Sequence, residues 1–214
     1  MKIEIKGKTF DYYLDEYNNI GPFDLSVAKE NLLLFKEVFD EKGVTFALMY
    51  GTLLGAIREH NFISHDDDID IIAFDNDGVL DLIPNLLEKG FKLVRYFEWD
   101  LSNEYVFSRK GIHVDIFMVC PVKGIKGKLY VGLWGKLFPK KYFKELVNYE
   151  FLGLNFQIPK NPEILCKYLY GKNWQLPAGN HAINESRSLS KLRKMVAFIF
   201  GKRTSWLKNV TGLK

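Results

Sequence analysis

Acidic residues cluster at positions 66–70, where the chain reads Asp-Asp-Asp-Ile-Asp. Two isoleucines follow, which predicts that the acids lie at the start of a buried strand. Because side chains alternate along a strand, Asp68 and Asp70 are expected on one face and Ile69 on the other. Adjacent carboxylates repel each other, and a divalent cation between them removes that cost. The pattern therefore predicts a cation site, and Mg²⁺ fits because it binds a few carboxylates together with substrate phosphates.

A third acid, Asp115, lies within the apolar segment 111–120. A buried carboxylate without a partner is costly, so a cation or a basic side chain should lie beside it. If this segment forms a strand next to the first one, Asp115 completes a metal site with Asp68 and Asp70. Two alternatives stay open: a solvated acidic turn at 66–70, and a structural salt bridge from Asp115 to Arg58 or Arg109.

Gly51 and Thr52 lie between a predicted buried strand, 44–50, and a short predicted helix. Glycine lets the backbone approach a ligand closely, and the free N–H groups at the start of a helix bind phosphate. We therefore expect this turn to face a phosphate, although Gly-Thr pairs also cap helices that bind nothing. Arg58, two helical turns further on, either binds a phosphate bidentately or is an exposed arginine at the helix end.

Three further side chains are candidates for the edge of the site. His65 precedes the acidic run and is expected to line the pocket, since its spacing from His60 does not predict a zinc site. Lys140 and Lys141 lie at the end of a Gly- and Lys-rich segment, 121–140, which is expected to form a loop or hairpin beside the site. Their charges either bind a phosphorylated ligand or belong to a solvated surface.

The elements that position these residues follow from periodicity. Apolar residues at helical spacing predict a helix over 25–42, with Asp24 as its N-cap and Gly43 after its end. Further along, the pattern predicts a turn at 75–78, helices over 79–89 and 163–170, and strands over 91–97, 105–109, 111–120 and 151–159. These elements would bring the acidic segments onto adjoining strands.

Length and composition restrict the class of protein. The chain has 214 residues, of which 47% are hydrophobic, enough for one domain with a core. A net charge of +4 is too small to indicate binding to nucleic acid. Two cysteines without metal or redox spacing, and the lack of an apolar signal or membrane-spanning run, predict a cytoplasmic protein. The basic, partly apolar tail either docks on the domain or contacts the inner face of the membrane.

The combined pattern resembles the LicD family, which includes bacterial phosphocholine transferases as well as fukutin and fukutin-related protein. The similarity is carried by Tyr50-Gly-Thr-Leu-Leu-Gly-Ala-Ile-Arg58, Phe62-Ile63, Asp66-Asp-Asp-Ile-Asp-Ile71 and Val114-Asp115-Ile116. It implies an α+β fold with a nucleotidyltransferase-like mixed β-sheet flanked by helices and a C-terminal helical extension. We expect an N-terminal arm at 1–23, the catalytic domain at 24–180 and the tail at 181–214.

The resemblance also implies roles for single residues. The catalytic and metal-binding set is Asp68, Asp70 and Asp115. Together with the candidates above, the expected substrate-binding set is Gly51, Thr52, Arg58, Asp66, His65, Lys140 and Lys141. At His65 many members of the family carry an aromatic residue, and this departure should alter the pocket wall rather than the metal site.

The activity implied by the resemblance is the transfer of a phosphorylated alcohol from a CDP-activated donor to a hydroxyl of a glycan or glycolipid. The transferred group is phosphocholine, glycerol phosphate, ribitol phosphate or a similar phosphorylated alcohol, and CMP is released. Mg²⁺, or Mn²⁺ in its place, is the expected cofactor, and lipopolysaccharide or teichoic acid the expected kind of acceptor. Two other functions stay open: transfer of a nucleoside monophosphate from an NTP, and non-catalytic binding of a nucleotide or glycan.

Overall fold

The computed structural model describes residues 1–16, 18, 22–64, 66–99, 102–123, 129–133 and 136–177. The tail at 181–214, with its expected helical extension and membrane contact, lies outside the described residues. Within the described ranges, no helix combines the length and the apolar character that crossing a membrane would require.

The described part of the chain contains both strands and helices. The strands are β1 (Lys2–Ile5), β2 (Lys8–Asp11), β3 (Phe46–Leu48), β4 (Asp68–Ala73), β5 (Lys92–Trp99), β6 (Ser102–Arg109), β7 (Ile112–Met118), β8 (Cys120–Lys123), β9 (Leu129–Leu133), β10 (Lys136–Pro139), β11 (Leu146–Phe151) and β12 (Leu154–Pro159). The helices are α1 (Leu25–Glu41), α2 (Tyr50–Arg58), α3 (Asn76–Glu88) and α4 (Pro162–Tyr170), with single 3₁₀ turns at Leu14–Glu16 and Lys140–Tyr142.

The central element is a seven-stranded sheet with the order β11-β12-β3-β4-β7-β6-β5. β12 pairs with β3, and β4 with β7, in parallel, whereas the other neighbouring strands are antiparallel. Helices α1, α2 and α3 contact strands of this sheet. The predicted fold class, a mixed sheet flanked by helices, is therefore confirmed. The two strands that carry the predicted acids, β4 and β7, are neighbours in the middle of the sheet.

Local side-chain contacts explain where the helices begin. Asp24 accepts hydrogen bonds from the N–H groups of Ser26 and Val27, so it caps α1 as predicted. Helix α3 begins earlier than predicted, because Asp75 accepts a hydrogen bond from the Gly78 N–H at 3.0 Å. The expected turn at 75–78 is thus the cap and first turn of the helix.

The two faces of the central sheet differ in polarity. Residues directly opposite each other on paired strands point to the same side, so the register defines each face. One face is apolar and fully buried in the core, and includes Ile69, Ile71, Val114 and Ile116. The other face carries the acids of β4, β6 and β7, namely Asp68, Asp70, Glu104 and Asp115.

Two smaller sheets border the central one. The predicted N-terminal arm forms the hairpin β1–β2, which contributes Ile5 and Phe10 to the core. The segment expected to form a loop or hairpin contains the hairpin β9–β10, and β8 extends it to three strands. This sheet packs towards α4, with the rings of Phe138 and Tyr168 in edge contact at 6.0 Å.

Candidate active site

Three predicted acids meet on the polar face of the central sheet. The parallel pairing of β4 with β7 places Asp70 directly opposite Asp115 and Asp68 opposite His113. Asp68 shares the face of Asp70 because it lies two residues before it on the same strand. The structure thus brings the three acids together, as the sequence predicted, while their catalytic role stays a prediction.

The start of α2 binds Asp70. The Gly51 N–H donates to Oδ2 of Asp70 at 2.9 Å, and the Asp70 N–H donates to Oγ1 of Thr52 at 2.9 Å. Thr52 is fully buried and its hydroxyl holds the β4 backbone, and the expected contact of the Gly51-Thr52 turn with a phosphate stays a prediction. A helix N-terminus favours an anion, and here the chain's own carboxylate is that anion.

Asp66 lies over the same turn. Its carboxylate packs so closely on Gly51 that a Cβ at that position would lie 2.7 Å from Oδ2 of Asp66. Asp66 also offers an oxygen within 4.8 Å of oxygens from Asp67 and Asp68. Two groups of acids therefore overlap, one along the loop and one across the strands, and Asp68 belongs to both.

Burial among like charges raises the pKa of these acids. Burial, followed by the charge of Asp67, raises the pKa of Asp68 to about 6, and burial with the charge of Asp68 raises that of Asp66 to about 7. The pKa values of Asp70 and Asp115 rise well above the usual range, first through burial and then through Asp68. Ionising the whole cluster therefore requires a counter-charge.

The arginines considered as partners for Asp115 bind elsewhere. Arg109 pairs with Glu30 at 2.9 Å, and Arg58 pairs with the glutamate that follows it in sequence. The alternative of a salt bridge from Asp115 to either arginine is therefore wrong. The charged groups that act on Asp115 are other acids, and after burial the charges of Asp68 and Glu104 raise its pKa further.

Glu104 is a buried acid of the site that the sequence analysis did not single out. Its side chain is buried, and burial raises its pKa to about 7. The predicted strand, 105–109, began immediately after Glu104, whereas β6 begins at Ser102 and includes it. Alternation along β6 puts Glu104 on the face of Val106, which lies opposite Asp115. The sequence did contain a signal: if the strand is extended towards its N-terminus, Glu104 falls on the same face as Val106.

Two tyrosines border the acids. Tyr50 begins α2 with a φ of 42° and packs edge-on against Phe117, with the ring centroids 5.1 Å apart. Burial raises the pKa of Tyr50, and the charge of Asp70 raises it further. Burial and then Asp70 likewise raise the pKa of Tyr170, at the end of α4. A left-handed backbone is strained for a residue other than glycine, and such strain is concentrated at functional sites.

Arg58 and Lys141 contact residues other than the acids of the site. The Arg58 side chain is 6% exposed and also donates to the Trp174 carbonyl at 3.4 Å, at the far end of α2. Lys140 and Lys141 are exposed on the 3₁₀ turn, where Lys141 lies over the ring of Tyr142. His65 lies outside the described residues.

The free oxygens of the cluster fit a hard divalent cation. Asp66 Oδ2, Glu104 Oε2 and Asp115 Oδ1 are buried and have no hydrogen-bond partner among the described residues. Unpaired buried oxygens are costly, and carboxylate oxygens are the ligands that Mg²⁺ and Mn²⁺ prefer. The residues present therefore suit the ion that the sequence predicted.

Substitution Gly51→Ala should disturb this site and leave the fold intact. The new Cβ would lie under 3 Å from both carboxylate oxygens of Asp66, and the short side chain can rotate away from it. We expect Mn²⁺ to bind about 10- to 100-fold more weakly, by analogy with lost supporting contacts at metal sites. Titration with Mn²⁺, followed by electron paramagnetic resonance, measures this affinity.

Gly55→Ala, in the same helix, is the matched control. A Cβ there would lie 2.5 Å from the main-chain carbonyl oxygen of Asn61, which cannot rotate away. We expect this variant to lose stability in thermal unfolding, by roughly 1–3 kcal/mol as in other overpacked interiors. Equal Mn²⁺ affinity of Gly51→Ala and the unsubstituted protein would contradict the expected role of Asp66.

The family model described as "LicD/FKTN/FKRP, nucleotidyltransferase domain" matches residues 43–161. Among curated proteins, the chain is 28% identical over 177 residues to "Ribitol-5-phosphate transferase FKTN" of Macaca fascicularis and of Homo sapiens, covering 78% of this chain and 37% of each relative. It is 26% identical over 171 residues to "Ribitol 5-phosphate transferase FKRP" of Mus musculus, covering 74% of this chain and 34% of that one. The chain thus spans little more than a third of the length of these relatives.

The solved structures that resemble this chain include a lincosamide antibiotic adenylyltransferase and an antibiotic-resistance factor. The lincosamide antibiotic adenylyltransferase LnuA is 14% identical, with a TM-score of 0.46 over 84% of this chain and 99% of that one. The antibiotic-resistance factor ANT(2'')-Ia is 12% identical, with a TM-score of 0.49 over 86% of this chain and 97% of that one.

Proposed function

This chain belongs to the LicD/FKTN/FKRP family of nucleotidyltransferase domains, and we propose that it is a divalent-metal-dependent phosphotransferase. Its proposed reaction moves a phosphorylated alcohol from a CDP-activated donor to a hydroxyl of a glycan or glycolipid and releases CMP. The observation that carries the proposal is the pairing of Asp70 with Asp115 on adjoining strands, beside Asp68 and within the matched residues.

The proposed ion site consists of Asp68, Asp70 and Asp115, with Asp66 beside them. A bound Mg²⁺ would neutralise the charge of a diphosphate and lower the pKa of a hydroxyl group. The protein's contribution is to hold the ligand oxygens in position. The Gly51 N–H orients the Asp70 carboxylate, and the Thr52 hydroxyl anchors the backbone that carries it.

In the proposed transfer, the acceptor hydroxyl oxygen bonds to the phosphorus that carries the alcohol. The bond from this phosphorus to the bridging oxygen breaks, and CMP leaves with that oxygen. Asp115 accepts the proton of the hydroxyl, since it is the acid on the neighbouring strand. Positioning and charge neutralisation supply most of the catalysis in phosphoryl transfer, so the protein needs no covalent intermediate.

The relatives' names support a polyol phosphate as the group transferred, and CDP-ribitol is therefore the first donor to test, followed by CDP-glycerol and CDP-choline. We propose an acceptor in a cell-surface polysaccharide, such as lipopolysaccharide or teichoic acid. We propose a cytoplasmic location, and for the tail at 181–214 the two alternatives are docking on the domain and contact with the inner face of the membrane.

The test is a product analysis on the full chain with Mg²⁺. We expect CMP to be released from one CDP-alcohol, faster with a glycan acceptor than without one, and to stop when EDTA removes the ion. Chromatographic separation of CMP, CDP-alcohol and the modified glycan measures the reaction.

Release of pyrophosphate from an NTP, with no CMP from any CDP-alcohol, would replace this proposal with nucleoside monophosphate transfer. Absence of both products, with Mn²⁺ bound, would leave a binding domain without turnover. Addition of excess Mg²⁺ to the EDTA-treated samples should restore CMP release, which controls for damage by EDTA.

A further inference from the structure

Three side chains form a row on β5, the last strand at one side of the central sheet. Arg95, Phe97 and Trp99 lie two residues apart on this strand and therefore point to the same side. The Phe97 and Trp99 rings are stacked, with centroids 5.5 Å apart and an interplanar angle of 23°. The Arg95 guanidinium lies 4.3 Å from the Phe97 ring centroid. The three side chains form one stack along the strand, the Arg95–Phe97–Trp99 stack, with Trp99 at one end.

The Arg95–Phe97–Trp99 stack belongs to the face of the sheet that carries the acids. Arg95 lies directly opposite Val106 of β6, and Val106 lies opposite Asp115 of β7. Asp115 in turn lies opposite Asp70 of β4. Residues opposite each other point to the same side of a sheet, so the stack and the acids share one face. Strands β5 and β7 are two strand spacings apart, which is about 10 Å.

Packing of the core does not account for the position of Trp99. Its side chain is 38% exposed, whereas Val106 and Glu104, between the stack and Asp115, are buried. An aromatic ring that stays in water gains little of the burial that makes such rings stabilising. The stack already orders the ring, so a ligand that packs on it pays little of the usual entropy cost. A ligand with a flat apolar face, such as a sugar or a base, suits this ring.

Distance decides which substrate reaches the stack. Counted along β5 from the row of Asp115, Phe97 lies about 12 Å and Trp99 about 16 Å from that residue. The base of a CDP-activated donor lies closer than this to its own diphosphate, so the donor is too short to extend from the acids to Trp99. An extended glycan of several sugars is long enough, and it can pass over the covered part of the face between the two places.

We propose that Trp99, held in the Arg95–Phe97–Trp99 stack, binds a sugar of the acceptor glycan at a distance from the reacting hydroxyl. The inference rests on the proposed function in taking a glycan as the acceptor. The ring contacts a part of the glycan that does not react, so it binds substrate and transition state alike. Such binding lowers KM without raising kcat. Trp99 therefore selects a long acceptor over a short one.

Two substitutions of Trp99 test the proposal by direct binding. Trp99→Ala removes the ring, and Trp99→Phe keeps a ring in the stack. The probes are the core oligosaccharide of lipopolysaccharide and a glycosylated teichoic acid, each titrated by calorimetry without donor. For a glycan that the unsubstituted protein binds, we expect about 10-fold weaker binding by Trp99→Ala and binding within about threefold by Trp99→Phe.

Tyr13→Ala is the matched control. Tyr13 is an aromatic residue outside the stack, and its exposed fraction of 39% nearly equals that of Trp99. We expect this variant to bind the glycan as the unsubstituted protein does. A loss of binding in Trp99→Ala without a loss in Tyr13→Ala then belongs to the stack and not to the removal of any exposed ring.

Kinetics give a second readout. With saturating donor, Trp99→Ala should raise KM for the glycan about 10-fold at unchanged kcat, because the lost binding is uniform. The KM for the donor and the affinity for Mn²⁺ should stay the same, since both are bound at the acids. A single sugar used as acceptor should show no difference between the variants, because it does not extend to Trp99.

Three results would overturn the proposal. The first is unchanged glycan binding in Trp99→Ala, and the second is that the unsubstituted protein binds neither glycan. The third is weaker binding of CDP by Trp99→Ala, titrated in the same way, because the ring would then bind the base of the donor.

The binding assay separates this inference from the proposed function. If no CDP-alcohol is consumed and Trp99→Ala still binds the glycan about 10-fold more weakly, the phosphotransferase proposal fails and the glycan site stands. If CMP is released and the glycan is modified, but Trp99→Ala binds it normally, the glycan site fails and the phosphotransferase proposal stands.

Discussion

Asp70→Asn should lower CMP release from the CDP-activated donor by about a thousandfold or more. Such a loss corresponds to about 4 kcal/mol of transition-state stabilisation, which is ordinary for a metal-dependent step. The fold should survive, because the asparagine carbonyl oxygen can still accept the hydrogen bond that the Gly51 N–H now donates to Asp70. Initial rates of CMP release at saturating Mg²⁺ measure the effect.

Asp40→Asn is the matched control for this substitution. Asp40 is an exposed acid of α1 that pairs with Lys36 at 2.8 Å, and the same change of charge there should leave the rate unchanged. A rate for Asp70→Asn above about a tenth of the original would contradict the assignment of Asp70 to the ion. Circular dichroism of both variants checks that they are folded.

The ion-free protein should become less stable as the pH rises from 5 to 8. Burial raises the pKa of Asp68 to about 6 and those of Asp66 and Glu104 to about 7, whereas in the unfolded chain these groups titrate near 3.8 and 4.5. Between those values the folded state binds more protons, so the free energy of unfolding falls with pH. Each pKa unit is worth about 1.4 kcal/mol, and we expect the melting temperature to drop by roughly 5–10 °C.

Added Mg²⁺ should reverse this loss at pH 8, because an ion that binds only the folded state stabilises it. At pH 5 the acids keep their protons and compete with the ion, so the stabilisation should be much smaller. Differential scanning fluorimetry with and without Mg²⁺ at both pH values gives the comparison. A melting temperature insensitive to pH and to Mg²⁺ would mean that the acids neither share protons nor bind the ion.

Part of this site could be predicted from the sequence, because the cost of burying a carboxylate can be recognised from the apolar residues on either side of it. An aspartate in an apolar strand must have a partner, and this argument led from Asp115 to the acids of β4, which the register confirms. Side chains alternate along a strand, so the sequence also predicted that Asp68 and Asp70 lie on one face of the sheet and Ile69 on the other. Periodicity does not show which strands pair, so the mixed sheet was predicted from the resemblance to the LicD family.

The contacts that the sequence did not indicate join elements that are distant along the chain. A free helix start predicts a bound anion, and nothing local to Gly51-Thr52 shows that Asp70 occupies it from another element. Arg58 donates to the carbonyl of Trp174, far along the chain, and its expected binding to a phosphate stays a prediction. Glu104 was missed because the ends of strands are poorly defined by their own residues.

The parallel pairing of β4 with β7 also has a consequence for how the site forms during folding. All of α3, β5 and β6 lie between these two strands in the sequence, and parallel strands cannot pair through a tight turn. Ordering so long a loop costs entropy before the pairing returns any contacts. Asp115 therefore stays apart from the acids of β4 in the nascent chain, and the repulsion between them arises only once β4 and β7 pair.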